Sequence, residues 1–540
     1  MGKPTSATAL AKQFRLSWWD RALIGVAPSY GLNRVRARLT ADLAARHYDA
    51  ASMGRRTSGW RGSGTDANAA NTPALSKLRD LSRDLRRNNG WARQAVRVIK
   101  NNTVGWGLSA KATGPFAAEA DRIWKQWSRS IKADHDQRMN FSGLQGLAIE
   151  TIVESGEVLA LREPATVADG LAVPMRIRLI EPDYLDATKD GAVTNSSNVI
   201  RNGIELDNRG RRVAYWIYET HPGASGYYST KSNRIDAANV AHCYLVERPG
   251  QLRGAPWLCA AIARLQDFDD YEDALLMQQK IAACFAAFVT DTTGESLALG
   301  KVDASTPQIE GLEPGMINYL KPGQSITFGS PPNVANQEVF SNQNLRRIAA
   351  SVAVPYEEMT GDYSKVNFSS ARMARISHYQ HVHDWRWNMI VPAFCDVVFG
   401  WVMAEAAAIA GWPSIPGVEW TAPPMPLLEP DKEGVAYQRM IRAGVMTLQQ
   451  AIRERGGDPD QHLAEFAESN AKIDQLGIVL DSDPRNTTTS GQAQASDAAE
   501  DDPDPVAVED AAAAEEARQQ ARILATIERM IEAENAAARA

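Results

Sequence analysis

Between Val354 and Arg372 the chain reads VPYEEMTGDYSKVNFSSAR, which gathers Asp362, Tyr363, Ser364, Lys365 and Asn367 into one glycine-punctuated stretch. Tyr, Ser, Lys and Asp are the side chains of activated nucleophiles and general acid–base pairs. They equally suit a loop that touches a charged polymer. A catalytic set needs companions, and no G-x-S-x-G, no S-x-x-K with its partner motifs and no kinase set accompanies this one. Two further clusters could do chemistry. Asp267, Asp269, Asp270, Glu272 and Asp273 crowd one helical stretch, and Asp269, Asp270 and Asp273 share a sector that could face a divalent cation. No second acidic run is available to complete a magnesium site, so a solvated acidic face is the favoured reading, ahead of a nuclease-like centre. In HYQHVHD, His378 and His381 share a helical face while His383 points away, which favours a structural or interfacial role over a metal. The nearest approach to a phosphate loop, Gly294 to Gly300-Lys301, has its glycines one residue too far apart and Val302 where Ser or Thr is required. The chain is therefore read as binding no metal and no cofactor, and as not being an enzyme.

The elements that must position these residues follow from periodicity and punctuation. With 540 residues, 44% hydrophobic and 23% charged, the chain is ordinary in composition and too long for one core. Four cysteines without C-x-x-C spacing exclude a disulfide framework or zinc ribbon and fit a reducing site of synthesis. The apolar helical runs are broken by Pro392, Asp396 and Glu405 or are short, and no signal segment appears, so a soluble protein without a membrane role is expected. The start MGKPTS matches the myristoylation pattern, a short motif that nothing else supports. Residues 1–100 carry 19 Lys/Arg against 6 Asp/Glu, and residues 481–540 carry 5 against 14. A basic N-terminal segment suits nucleic acid or an acidic partner, and a stand-alone DNA-binding protein is one reading of it; the acidic tail stays solvated.

Residues 1–70 read as a flexible basic arm. From Leu75 to Asn102 the stripe Leu78, Leu81, Leu85, Ala92, Val96 and Ile99 predicts amphipathic helix broken at Asn88-Asn89-Gly90, and Trp124 and Trp127 fall on one face of the next helix. Between Ser142 and Glu247, LQGLAIETIVESG is helical and EVLALRE, MRIRLIE and RRVAYWIYE read as strands, an α+β body closed by ERPGQLRGAPWL. A long helix from Trp257 to about Val289 follows, with Leu258, Ile262, Leu265 and Phe268 as its apolar stripe. MINYLKPGQSITFGSP reads as a hairpin turning at Pro322-Gly323. Helix resumes before the opening loop; Ser369 or Ser370 can cap the next long helix, which is expected to kink at Pro392 and stop at Gly411. A proline-rich link, Trp412 to Pro430, leads to shorter helices and then, beyond residue 480, to an acidic, largely disordered tail with a helical pattern at Arg518–Ile531.

Seven stretches in order, WWDRALIGVAPSYGLNRVRARL, YDAASMGRRTSGW, RDLRRNNGWARQAVRVIKNNTVGWGL, IEPDYLD, NGIELDNRGRRVAYWIY, ERPGQLRGAPWL and VAVPYEEMTGDYSKVNFSSAR, make the chain resemble the lambda-type phage portal proteins, the head-to-tail connectors of tailed bacteriophages. The resemblance implies a mainly helical α+β, elongated subunit. Mapped by order, 71–255 correspond to the wing, 256–290 and 338–354 to two stem helices, 291–337 to a small β-containing clip, 355–369 to the tunnel loop, 370–411 to a kinked long helix and 412–480 to crown-side helices. It further implies a ring of twelve subunits at one capsid vertex of the virion, made in the host cytoplasm. The implied partners are double-stranded DNA contacted without sequence specificity, the terminase large subunit, a head-completion adaptor, and the major capsid and scaffolding proteins. On this mapping Asp362, Tyr363, Ser364, Lys365 and Asn367 face the DNA channel, Asp267 to Asp273 make the stem acidic, and Tyr319, Lys321 and Phe328 lie on the clip's docking surface.

Overall fold

The computed structural model describes residues 62–478 apart from Ser63, Tyr227, Tyr228, Thr230 and 285–336, together with Leu480. The chain divides into two units, Met1–Pro423 and Pro424–Ala540. The N-terminal arm as far as residue 61, the hairpin with Tyr319, Lys321 and Phe328, and the acidic tail lie outside the described residues.

The first unit is built on helices α1 (Ala67–Asn88) and α2 (Gly90–Thr103). The break between them comes where the sequence places it: Asn89 is extended, and its side chain accepts from the amide of Ala92 to cap α2. The buried face of α1 differs from the apolar stripe, however. Leu81 is exposed and the inward residues are Leu75, Arg79, Ser82 and Leu85. A buried carboxylate pulls Arg79 inward, and this rotates the helix away from its leucine-only register. Strand β1 (Ser109–Thr113) and helices α3 (Ala117–Arg129) and α4 (Phe141–Ser155) follow. Trp124 and Trp127 are both buried, as their spacing predicts, with ring centroids 5.5 Å apart, and the Trp127 indole donates to the carbonyl of Met175 at 2.9 Å.

Strands β2 (Glu157–Pro164), β3 (Met175–Ile180) and β9 (Val240–Tyr244) form a three-stranded antiparallel sheet in the order β3-β2-β9. A five-stranded meander, β4 (Gly191–Ala192), β5 (Val199–Arg201), β6 (Ile204–Leu206), β7 (Arg212–Tyr218) and β8 (Ser232–Asp236), covers a smaller core containing Ile180, Leu185, Ile204 and Tyr215. The α+β body read from the sequence is therefore present. β10 (Gly417–Thr421) corrects its boundary: these residues, expected as a link to the crown side, pair antiparallel with β1 from Ser109↔Thr421 to Thr113↔Gly417. Two five-residue segments about three hundred residues apart carry no local signal of their pairing.

After a 3₁₀ turn at Trp257–Ala260 comes α5 (Ile262–Cys284), so the helix proper starts later than Trp257. Leu258, Leu265 and Phe268 are buried as the stripe predicts. Then come α6 (Gln337–Ser351), α7 (Tyr356–Thr360), α8 (Phe368–Asp384), a π-helical stretch over Trp385–Cys395, and α9 (Asp396–Ala410), which ends on Gly411 at φ +74°. Pro392 lies inside the π-helical stretch. Proline has no N–H to donate to a carbonyl four residues back, and the wider i→i+5 winding accommodates it. Ser369–Ala410 is long and apolar enough by composition to cross a membrane. Its apolar residues Val382, Trp385, Ile390, Phe394, Val398 and Val402 belong instead to the main core. The second unit contains α10 (Pro430–Arg442), α11 (Leu448–Glu454) and α12 (Pro459–Leu476), with Ala451, Ile452 and Pro459 buried.

Candidate DNA-facing loop and its supports

The loop between α7 and α8 is fixed at both ends. Gly361 closes α7 at φ +72°, a left-handed conformation that favours glycine, and its amide donates to the carbonyl of Glu357. At the far end Asn367 accepts from the Ser370 amide at 2.8 Å, while the Ser370 hydroxyl accepts from the Asn367 amide, a reciprocal capping box. Asn367 thus has a definite structural role, and it rather than Ser369 or Ser370 is the cap. Asn367→Ala is expected to cost about 1 kcal/mol of stability, read as a lowered urea midpoint; an unchanged midpoint would show that the cap is not needed.

Between these anchors Asp362 accepts from the Ser364 amide at 3.0 Å and from its hydroxyl at 2.6 Å, and from the Tyr356 hydroxyl at 3.2 Å. The Ser364 hydrogen bonds hold the Asp362 carboxyl below its ordinary value. Lys365 pairs with Glu338 at the start of α6, and the hydrogen bond to that carboxylate raises the ammonium's pKa. Tyr363 stands 59% exposed at the tip. The sequence brings these five residues together; it gives no hint of Glu338, twenty-seven positions away.

On α5, Asp267, Asp270, Glu272 and Asp273 are exposed, and among the described residues none of the five acidic side chains makes an ion pair. Asp269 accepts from the Asn89 side-chain amide with both oxygens at 2.8 Å, and Asp270 accepts from the Gln266 side chain at 3.2 Å. Partial burial, with Asp269 and Asp273 nearby, raises the Glu272 carboxyl. The histidines serve packing. His378 is buried, with Nδ1 2.9 Å from the Ala353 carbonyl and Nε2 3.3 Å from the Asn102 amide, and His381 stacks on Trp385. Burial holds His378 and His383 below the ordinary imidazole value. Among the described residues the one group with metal-ligand spacing is Glu181, Asp183 and His221. Arg83 already sits on it, ion-paired to Asp183 and, at 3.0 Å, to Glu181, so a cation would have to displace a guanidinium.

A buried electrostatic centre among the described residues has no local signal in the sequence. Glu157, fully buried at the start of β2, receives Arg79 from α1 at 2.6 Å, Arg253 at 2.7 Å, His242 Nε2 from β9 at 2.9 Å and the amide of Gly254 at 2.9 Å. Burial alone would raise its carboxyl; Arg253, His242 and Arg79 outweigh that and hold it well below the carboxylate range. Both oxygens of this carboxylate are engaged by the fold, Oε1 by Arg79 and Arg253 and Oε2 by His242 and the Gly254 amide. A Cβ at Gly254 would lie 2.1 Å from the Gly156 carbonyl oxygen, so the close approach of these two backbones requires glycine. This centre ties α1, β2, β9 and the 250–256 loop together, and that loop leads into α5.

With the geometry in place, comparison decides the family. The model described as "Phage portal protein, lambda family" matches residues 53–386. The chain belongs to that family. This portal chain is 26% identical over 431 residues to the probable portal protein of Halomonas phage phiHAP-1, covering 74% of this chain and 81% of the relative. It is 20% identical over 478 residues to portal protein B of Escherichia phage lambda, covering 78% and 88% respectively. A solved chain from the virion of a native gene transfer agent particle aligns with 73% of it at 15% identity and a TM-score of 0.38, a likeness too loose to bear on the portal fold described above.

Proposed function

We propose that this portal protein assembles into a ring of twelve subunits at one capsid vertex, made in the host cytoplasm and built into the virion with the capsid and scaffolding proteins. In this reading double-stranded DNA passes through the central channel in packaging and ejection. The terminase large subunit, and later a head-completion adaptor, dock on its clip. The observation that carries the channel role is the loop over 361–367: capped at both ends, exposed at its tip, and holding one exposed lysine beside an ionised aspartate. Such a loop touches phosphate without reading bases. The four exposed carboxylates of α5 suit the same task, because like charge discourages a passing polyanion from adhering.

Docking is assigned to residues 291–337, with Tyr319, Lys321 and Phe328 on the contact surface. Changing Tyr319 and Phe328 together to Ser is expected to leave rings intact while reducing capture of the terminase large subunit on immobilised rings. Capture at the wild-type level would remove the docking role from this segment.

A further inference from the structure

The loop does not present its lysine freely. Lys365 and Glu338 form an ion pair in which the side chains are 66% and 70% exposed, so a polyanion in solvent can reach both. Glu338 is one of three α6 residues, spaced by four, that support the loop. Asn342 Oδ1 lies 3.1 Å from the Tyr356 hydroxyl, which also lies 3.2 Å from Asp362, and the Arg346 guanidinium stands 5.3 Å from the Tyr356 ring centroid. One face of α6 therefore sets where the loop sits, and its first turn supplies the counter-charge to the loop's only cation.

We propose that Glu338 competes with DNA phosphate for Lys365, so that this carboxylate sets how firmly the loop grips DNA. The proposal rests on reading loop 361–367 as DNA-facing. An ammonium already paired gains less from a phosphate than a free one, because the phosphate must replace a partner and then face the released carboxylate. The pair is exposed and hence weak, so the exchange runs easily in both directions. A passing phosphate is held briefly and surrendered back to Glu338. A lone lysine in the same place would hold it longer.

The test is equilibrium binding of full-length rings, checked by negative stain, to fluorescent linear double-stranded DNA at low and high salt. Glu338→Gln is expected to bind about 1.5- to 5-fold more tightly at low salt, with the gain vanishing as salt screens the contact. Lys365→Ala should bind more weakly, and the double variant should match Lys365→Ala, because without the lysine there is nothing to compete for. If Lys365→Ala is weakened but Glu338→Gln equals wild type, competition is refuted and the DNA-facing loop stands. A double variant that binds more tightly than Lys365→Ala by the full Glu338→Gln factor also refutes it, since the carboxylate would then be repelling DNA directly. Lys365→Ala binding like wild type overturns the DNA-facing reading, and the proposal with it.

Discussion

Glu157→Gln is expected to destabilise the first unit by about 3–5 kcal/mol, the cost of breaking a buried ion pair by removing one partner. Gln keeps the shape of the side chain but loses the charge, and its NH₂ group turns two donors toward a site where Arg79, Arg253, His242 and the Gly254 amide already donate. Two buried guanidinium groups are left without their carboxylate. Urea denaturation followed by circular dichroism should show the loss, and a change under about 1 kcal/mol would mean that the cluster contributes little beyond packing. The pH dependence gives a second reading. The folded carboxyl lies well below its ordinary value, so its contribution is fully present above about pH 4.3 and is lost as pH falls toward the folded value. Burial lowers the His242 imidazole, so the unfolded chain takes up that proton first, and stability starts to fall as pH drops below about 6.5. Both groups make wild-type stability rise with pH. In Glu157→Gln the carboxylate part of the acid limb should flatten.

What could be read in the sequence follows from how local each signal is. The Asn89 break, the Trp124–Trp127 face, strands β2, β3 and β7, and the Gly411 stop all declare themselves within a few residues, and each stands where expected. The five loop residues share one segment because they lie within six consecutive positions, 362–367. The Glu157 centre was not legible: Arg79, Glu157, His242 and Arg253 are scattered over 175 positions, and each alone reads as a surface charge on an amphipathic face. The inward turn of Arg79 also defeated the leucine stripe of α1, since an ion pair in the core overrode apolar periodicity. The β1–β10 pairing was missed for the same reason of separation, and the Lys365–Glu338 pair bridges two helices whose relation only the fold supplies.

Shortening the loop is the second large effect. Replacing Gly361–Val366 by a brief Gly-Ser bridge should leave ring assembly intact. Tyr363, Ser364 and Lys365 are exposed, and the cap of α8 depends on Asn367 and Ser370, which the change spares. Filled heads retaining their genome should nevertheless fall severalfold in the phage that encodes the chain, because on the proposed DNA-facing reading the channel would lose a contact with moving phosphate. Lys365→Ala should act in the same direction more mildly and fade as salt rises. Heads filled and retained at wild-type levels would separate the loop from DNA handling. A catalytic loop would instead show turnover by purified protein that Tyr363→Phe or Lys365→Ala abolishes.

The central claim is that this chain makes a closed ring around a channel. Negative-stain electron microscopy of the purified full-length protein measures that directly: the account predicts closed rings with a central hole, and a homogeneous population of monomers or compact particles without a hole would contradict it.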